Sequence, residues 1–231
     1  MELSKRLTAV VRLVPECDSA ADIGTDHGYV PIFLVEQKIM GRVIAMDVNR
    51  GPLARAGEHI AQCGLSDRIE TRLSDGLSAL KAGEADIMIA AGMGGGLITR
   101  IMEEGESVVS SLKACILQPQ SEIGKVRRYL AAHGLVIEEE DMVEEDGKFY
   151  PMMRAVHGEP ECYEEYEYLY GKKLLGMRHP VLRKFLLREQ TIKESIIVSL
   201  HEQEQSDGVR MRLHELSRET DYVRRALKCY G

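Results

Sequence analysis

Apolar positions in the first 160 residues fall into short runs separated by glycine, proline and polar clusters. Residues 4–14 (SKRLTAVVRLV) set Leu7, Val10, Val11 and Val14 on one helical face, with Ser4 placed to cap the helix and Pro15 to stop it. Ala20–Gly24 is a buried run that ends in glycine, and 29–39 has helical spacing with Pro31 in its first turn, where a missing N–H costs little. Val43–Asp47 predicts a strand, 51–63 a helix closed by Gly64, and Ile69–Leu73 a strand. Asp86–Ala91 is almost wholly apolar, as a central parallel strand should be. A glycine cluster follows, then a helix over 96–104, a buried strand Ala114–Leu117 and a helix over 121–133, for which Ser121 is the expected N-cap. Val136–Met142 and Phe149–Val156 predict two last strands around the tight turn Glu145-Asp146-Gly147-Lys148.

Strand and helix in alternation imply an α/β fold, a mostly parallel sheet with helices on both faces. The last two strands, joined by a tight turn, should pair antiparallel. Ligands in such folds bind at the carboxyl ends of the strands, where the strand order reverses. From about residue 160 the strand signals stop. Residues 160–176, rich in Tyr and Glu, are expected to be helical, and two longer helices follow His179-Pro180. Val209, Leu213, Leu216, Thr220, Val223 and Leu227 step by alternating fours and threes, the spacing of a coiled-coil seam. Leu182, Phe185, Leu186, Ile192, Ile196 and Leu200 give the first helix a rougher stripe, and Ser206-Asp207-Gly208 marks a turn between the two. The expected organisation is an α/β domain over 1–158 and an all-helical coiled-coil hairpin domain over 159–231.

Composition narrows the class. The 231 residues are 44% apolar and 29% charged, ordinary for a folded soluble chain. No apolar run approaches the ~20 residues that span a bilayer. The start, Met1 to Arg6, leads into an amphipathic stretch and not into the apolar core of a signal peptide. The five cysteines are scattered with none at CxxC spacing, and the histidines form no ligand pair, so no metal site is expected and a reducing, cytoplasmic home is. The net charge of −7 looks unfriendly to nucleic acid, but it is unevenly spread. Residues 1–170 hold 17 Lys+Arg against 29 Asp+Glu, and residues 171–231 hold 13 against 8. A body of −12 carries a tail of +5.

The chemistry concentrates after the strands. The first strand runs into Asp22-Ile23-Gly24-Thr25-Asp26-His27-Gly28. A glycine loop here fits any mononucleotide fold, but Asp22 and Asp26 would repel a pyrophosphate. They suit a cofactor with a positive centre, and S-adenosylmethionine has a sulfonium and an amino group without a phosphate. Asp47, with Val48 beside it, ends the second strand, where an acid can accept both ribose hydroxyls. Asp75-Gly76 follows the third strand, at the place for an adenine amino group, although a lone Asp-Gly is also a common turn. Gly92 and Met93 open a glycine cluster after the most apolar strand, where a second substrate can come close to the backbone. Gln118 and Gln120, after the next strand, could bond a planar base edge.

The combination DIGTDHGY (22–29), AMD (45–47), SDGL (74–77), AGMGGGLI (91–98), LQPQSE (117–122) and EEDGKFY (144–150) resembles the TrmK family, bacterial tRNA (adenine-N1)-methyltransferases acting on adenine 22 of the D-arm. The resemblance covers the whole chain. It implies a Rossmann-like class I methyltransferase domain, S-adenosyl-L-methionine as cofactor, tRNA as partner, and a C-terminal coiled coil. Adenine N1 carries an in-plane lone pair and needs no strong base, so the enzyme's task is placement. Asp26 is the first candidate to stabilise the charged product; fixing its own loop is the competing role. Tyr29 either stacks on the target base or is buried against the sheet, and Gln118 completes the catalytic candidates. His27 either bonds the methionine carboxylate or caps the next helix. Asp22, Gly24, Asp26, His27, Gly28, Asp47, Val48, Asp75, Gly76, Gly92 and Met93 are the expected cofactor residues. Lys172, Lys173, Arg178, Arg183, Lys184 and Arg188 form the basic run expected to meet RNA phosphates. Arg210, Arg212, Arg218, Arg224, Arg225 and Lys228 lie on the return helix. The expected state is a monomer or weak dimer. Competing readings are a methyltransferase for a small molecule or protein, a non-catalytic nucleotide-binding protein with an interaction arm, and an NAD enzyme.

Overall fold

The computed structural model describes residues 2–159, 161–203 and 206–231. The chain forms two compact units, Met1–Glu161 and Cys162–Gly231.

The first unit runs α1 (Lys5–Arg12), β1 (Ser19–Ile23), α2 (Tyr29–Glu36), β2 (Arg42–Asp47), α3 (Arg50–Gln62), β3 (Ile69–Leu73), β4 (Ile87–Gly94), α4 (Gly95–Glu104), α5 (Glu106–Val109), β5 (Ala114–Ser121), α6 (Ile123–Ala132), β6 (Leu135–Glu145) and β7 (Lys148–His157). One seven-stranded sheet has the order β3-β2-β1-β4-β5-β7-β6. The first five strands are parallel, and β7 inserts antiparallel between β5 and β6. The order reverses between β1 and β4, whose registers meet at Ala21–Met88 and Ile23–Ala90.

Alternation along the central strands supplies two cores. Ala21, Ile23, Met88, Ala90, Cys115 and Leu117 share a cluster with Ile98, Met102, Val126 and Leu130 of α4 and α6. The intervening Ala20, Ile87, Ile89, Ala114 and Ile116 share the other with Val10, Ile32, Leu34 and Ile60 of α1, α2 and α3. A strand buried on both faces can carry no polar position, which is why β4 reads as a continuous apolar run.

The sheet extends further than the apolar runs. β4 continues to Gly94 and β5 to Ser121, pairing as Met93–Pro119 and Gly94–Ser121 across two irregularities. Glycine, glutamine and proline carry no apolar alternation, so the predicted glycine loop is partly strand. The expected cap at Ser121 is therefore corrected: Ser121 ends β5, and Glu122, with a left-handed backbone (φ +50°), precedes α6 without a side-chain cap. Gly95 starts α4 directly against this strand end. A Cβ there would stand 2.5 Å from the Ser121 carbonyl oxygen, so only glycine permits the approach. Ser4 does cap α1, accepting from the Leu7 N–H. The one-turn helix α5 was not signalled by periodicity.

The second unit holds α7 (Glu165–Tyr170), α8 (Lys172–Gly176), α9 (Pro180–His201) and α10 (Asp207–Lys228). The helix expected over 160–176 is thus two short ones, broken at Gly171, and Pro160 lies outside the described residues. Helices α9 and α10 run antiparallel: Lys193 pairs with Glu219 at 2.7 Å, Arg224 with Glu194 at 3.6 Å, and the Tyr230 hydroxyl donates to the His179 carbonyl. Of the expected stripes, Leu182, Leu186, Leu216, Thr220 and Val223 are buried. Ile192 and Ile196, nearer the turn, are substantially exposed. Among the described residues no helix is long and apolar enough to cross a membrane.

Arg127 on α6 and Glu140 on β6 form a wholly buried pair, with Nε and Nη2 each 2.8 Å from Oε1. Arg127→Met should destabilise the fold by about 3–5 kcal/mol in urea unfolding, since it leaves a carboxylate in the core. The double variant with Glu140→Leu should recover most of that loss. Equal losses in single and double variants would mean that shape, not charge, sets the cost.

Candidate active site

The first β–α junction is built by the end of β2. The N–H groups of Gly24 and Thr25 both donate to the Met46 carbonyl, at 2.8 and 2.9 Å, and the Gly28 N–H closes the loop on the Thr25 carbonyl. Asp26, at the tip, has a left-handed backbone (φ +45°). Its carboxylate is largely exposed, 3.3 Å from Arg55 and 3.7 Å from His27. The His27 ring stacks on Tyr29 at 5.3 Å, and Tyr29 tilts against His59 at 5.6 Å. Tyr29 is 38% exposed, so it is not buried against the sheet.

Asp22 lies beneath this loop, almost fully buried. Burial pushes its carboxyl up to about 6, and the nearby Asp47 charge adds to the rise. The Thr25 hydroxyl opposes the rise, yet it is buried without a hydrogen bond of good geometry. Among the described residues no basic side chain pairs with Asp22. A buried carboxylate without a cation beside an unsatisfied hydroxyl is a polar cradle that a ligand's donors would complete.

A cleft of about 470 Å³ opens here. It brings together Asp22, Gly24, Asp26, His27, Tyr29 and Gly92. The remaining predicted residues follow the sheet edge. Asp47 ends β2, with Oδ1 accepting from the Asn49 N–H at 2.7 Å and its carbonyl accepting from Ser74. It sits in register with Leu73, and Val48 and Leu73 are both exposed, an apolar pair at the ends of β2 and β3. Asp75 points to solvent, 3.8 Å from Arg100, in a turn where Ser74 Oγ donates to the Gly76 carbonyl. Gly28 precedes α2 and packs on Ala56 of α3. Met93 reaches over Gly24 from β4.

Gln118 is not on the cleft surface. It is fully buried, its Oε1 accepting from Gly92 N–H at 3.1 Å and Arg6 Nη1 at 2.8 Å while its Nε2 donates to the Pro119 carbonyl. Gly92 needs this anchor, because its backbone is left-handed (φ +82°) where β4 kinks. Gln120, not Gln118, lines the opening.

The methyltransferase domain family matches residues 3–153. The tRNA (adenine(22)-N(1))-methyltransferase of Bacillus subtilis is 31% identical over 222 residues, 94% of this chain and 93% of that one. The chain belongs to the TrmK family. The crystal structure of the B. subtilis m1A22 tRNA methyltransferase TrmK superposes with a TM-score of 0.89 at 30% identity, covering 98% and 99% of the two chains. A Streptococcus pneumoniae protein solved in complex with S-adenosyl-L-methionine superposes with 0.88 at 30% identity, over 98% and 100%. The Rossmann-like methyltransferase fold expected from the resemblance is therefore present.

In this TrmK-family chain the cleft has a wall that residue reading did not assign. Leu3, Ser4, Arg6 and Leu7 line it from the start of α1. The capped amphipathic helix was legible, but its place beside β5 and β6 is a tertiary fact without a local signal.

Asp22 binds its proton more tightly folded than unfolded, so stability falls as pH rises from about 4 to about 6 and stays lowered above that. Asn at this position removes the charged form. Asp22→Asn should raise stability by up to about 3 kcal/mol at pH 7.5, with the gain vanishing near pH 4. Thermal melts of the ligand-free protein across this range check it; a pH-independent difference would show that Asp22 is not the titrating group.

Proposed function

We propose that this protein transfers a methyl group from S-adenosyl-L-methionine to N1 of an adenine in tRNA, adenine 22 of the D-arm. The observation that carries the reading is the buried, cation-free Asp22 under the β1 loop, in a chain that belongs to the TrmK family. S-adenosyl-L-methionine supplies an electrophilic methyl on a sulfonium, together with an amino group. An anionic cradle favours those positive centres and disfavours a dinucleotide pyrophosphate.

The residues divide the work along the sheet edge. Asp22 and the Gly24–Gly28 loop hold the amino-acid end of the cofactor. Asp47 accepts from the ribose hydroxyls, and Val48, Asp75 and Gly76 hold the adenine, with Leu73 completing the apolar face. Gly92 and Met93 shape the place where the target base meets the methyl. Adenine N1 brings its own lone pair, so the protein positions and neutralises, and no side chain must remove a proton from N1. Near-attack placement contributes roughly 7–11 kcal/mol in such reactions. Asp26, exposed at the cleft mouth and near His27, accepts from the exocyclic amine and balances the charge that develops on the ring. Tyr29, stacked on His27, offers the target base a platform once it is extruded from the RNA.

The second unit carries the RNA grip. Arg178, Arg183, Lys184 and Arg188 are exposed on and before α9, while Lys172 and Lys173 are half-buried, Lys172 donating to the Cys162 carbonyl. On α10 four of the six cations are in ion pairs: Arg210 with Asp207, Arg212 with Glu215 and Glu219, Arg224 with Glu194, and Arg225 with Glu164. The clustering and exposure of Arg178, Arg183, Lys184 and Arg188 favour α9 as the phosphate-binding face. The protein works where tRNA is processed, in the cytoplasm, as a monomer or weak dimer.

Incubation with unmodified tRNA and cofactor, followed by nucleoside analysis, should yield 1-methyladenosine at position 22; none in any tRNA would end this reading. Asp47→Ala should weaken cofactor binding at least tenfold by calorimetry, the loss of charge-assisted hydrogen bonds. The triple change Arg183→Glu, Lys184→Glu, Arg188→Glu should raise the Kd for tRNA by more than tenfold at 0.1 M salt, with cofactor affinity unchanged. Unaltered RNA affinity would remove α9 from the binding face.

A further inference from the structure

Arg6 is a cleft cation to which the proposed chemistry gives no task. It lies in the first turn of α1, and three contacts fix it. Its Nη1 donates to the buried Gln118 Oε1 at 2.8 Å, its guanidinium faces the Tyr150 ring at 5.7 Å, and its Nη1 lies against Gly92, 3.5 Å from where a Cβ would stand. The helix beneath it is pinned in turn: Lys5 N–H donates to Glu145 Oε1 at 2.6 Å, and Lys5 Nζ to the Glu144 carbonyl at 2.9 Å. Among the described residues no carboxylate pairs with Arg6. Its only hydrogen-bond partner there is a neutral amide, in an otherwise acidic body.

A guanidinium presents five donors in a rigid fork, and one partner leaves most of that fork free. Held by an amide, stacked on an aromatic ring and left without a counter-ion, it is preorganised for an incoming anion. Two anions could come here in the proposed reaction, the cofactor's carboxylate and an RNA phosphate. The strand order decides between them. Along β3-β2-β1-β4-β5-β7, the ribose acid Asp47 is on β2 and the buried Asp22 is on β1. Arg6 sits past β4, on Gly92, Gln118 of β5 and Tyr150 of β7, the acceptor side of the methyl-transfer point. Charge supports the same choice. N1 methylation makes the base a cation, which an uncompensated guanidinium next to it would oppose. With a phosphate bound to Arg6, that repulsion is cancelled.

We propose that Arg6 binds the backbone phosphate next to the extruded target adenosine, with Gln118 as the positioning residue that aims it and ties it to the acceptor loop at Gly92. This inference rests on tRNA being the substrate.

Arg6→Met and Arg6→Lys test it on the full chain, with circular dichroism to verify the fold of each. The Met variant should raise the Kd for tRNA roughly tenfold and lower the slope of log K against log salt by about 1, the signature of one lost phosphate contact. Arg6→Lys should keep the slope but lose part of the affinity, because a point charge lacks the fork. Affinity for S-adenosylhomocysteine should stay within about twofold in both, since Arg6 shares the cleft with Asp22 and Gly24 but its contacts are to Gln118, Tyr150 and Gly92. Weakened S-adenosylhomocysteine binding with an unchanged tRNA salt slope would overturn the proposal and assign Arg6 to the cofactor carboxylate. An unchanged slope with unchanged cofactor affinity would overturn it too, reducing Arg6 to a strut for Gln118. A wild-type protein that itself neither binds nor methylates tRNA is a different failure, that of the proposed function.

Discussion

Everything in the first unit depends on β1 and β4 lying side by side while the chain leaves them for opposite faces of the sheet. After β1 it turns into α2 on one face, and after β4 into α4 on the other. The two loops cannot cover the same ground, so a crevice opens between them at the carboxyl ends of the strands. The crevice then sets the demands on each residue at its edge. Asp22 is buried because β1 is covered on both faces right up to the loop. Gly92 is left-handed because β4 must bend away to keep pairing with β5. Gln118 is inside because one side chain has to satisfy the backbone that this bend frees.

Much of this was legible in the chain. Apolar runs located each strand of the sheet, and the tight turn at Glu145–Lys148 identified the antiparallel pair. Legibility failed wherever the structure is set by pairing across space. Gly92–Gly94 and Pro119–Ser121 are strand because they pair with each other, although neither stretch has an apolar pattern. Ser121 looks like a helix cap, but that pairing claims its backbone first. Periodicity told α7 and α8 apart from nothing, because Gly171 breaks a stretch whose helical signal is otherwise continuous.

At the candidate site the acids at the strand ends were legible and the wall across the cleft from them was not. Acids after strands are a local signal, and Asp22, Asp26, Asp47 and Asp75 stand where that signal put them. Gln118 and Gln120 are two residues apart, look alike in sequence and share a face by strand alternation, yet the first lies in the covered part of β5 and the second at its exposed end. The N-terminal wall was invisible, since nothing in SKRLTAVV says which strand end it will meet. Charge followed the same division. Acids of the first unit gather at the strand ends, and the helices of the second unit pair several of their cations with their own acids.

The pinning of α1 has a consequence for the order in which this protein can be made. Its Lys5 and Arg6 leave the ribosome more than a hundred residues ahead of their partners Gln118, Glu144, Glu145 and Tyr150. At about 5–20 residues per second, the amphipathic first helix waits several seconds for the surface it covers. Throughout that interval the β1–β2 half of the crevice can form while its far wall is missing. A nascent chain halted before β7 would therefore hold the first half of a binding site and no place to receive a second substrate.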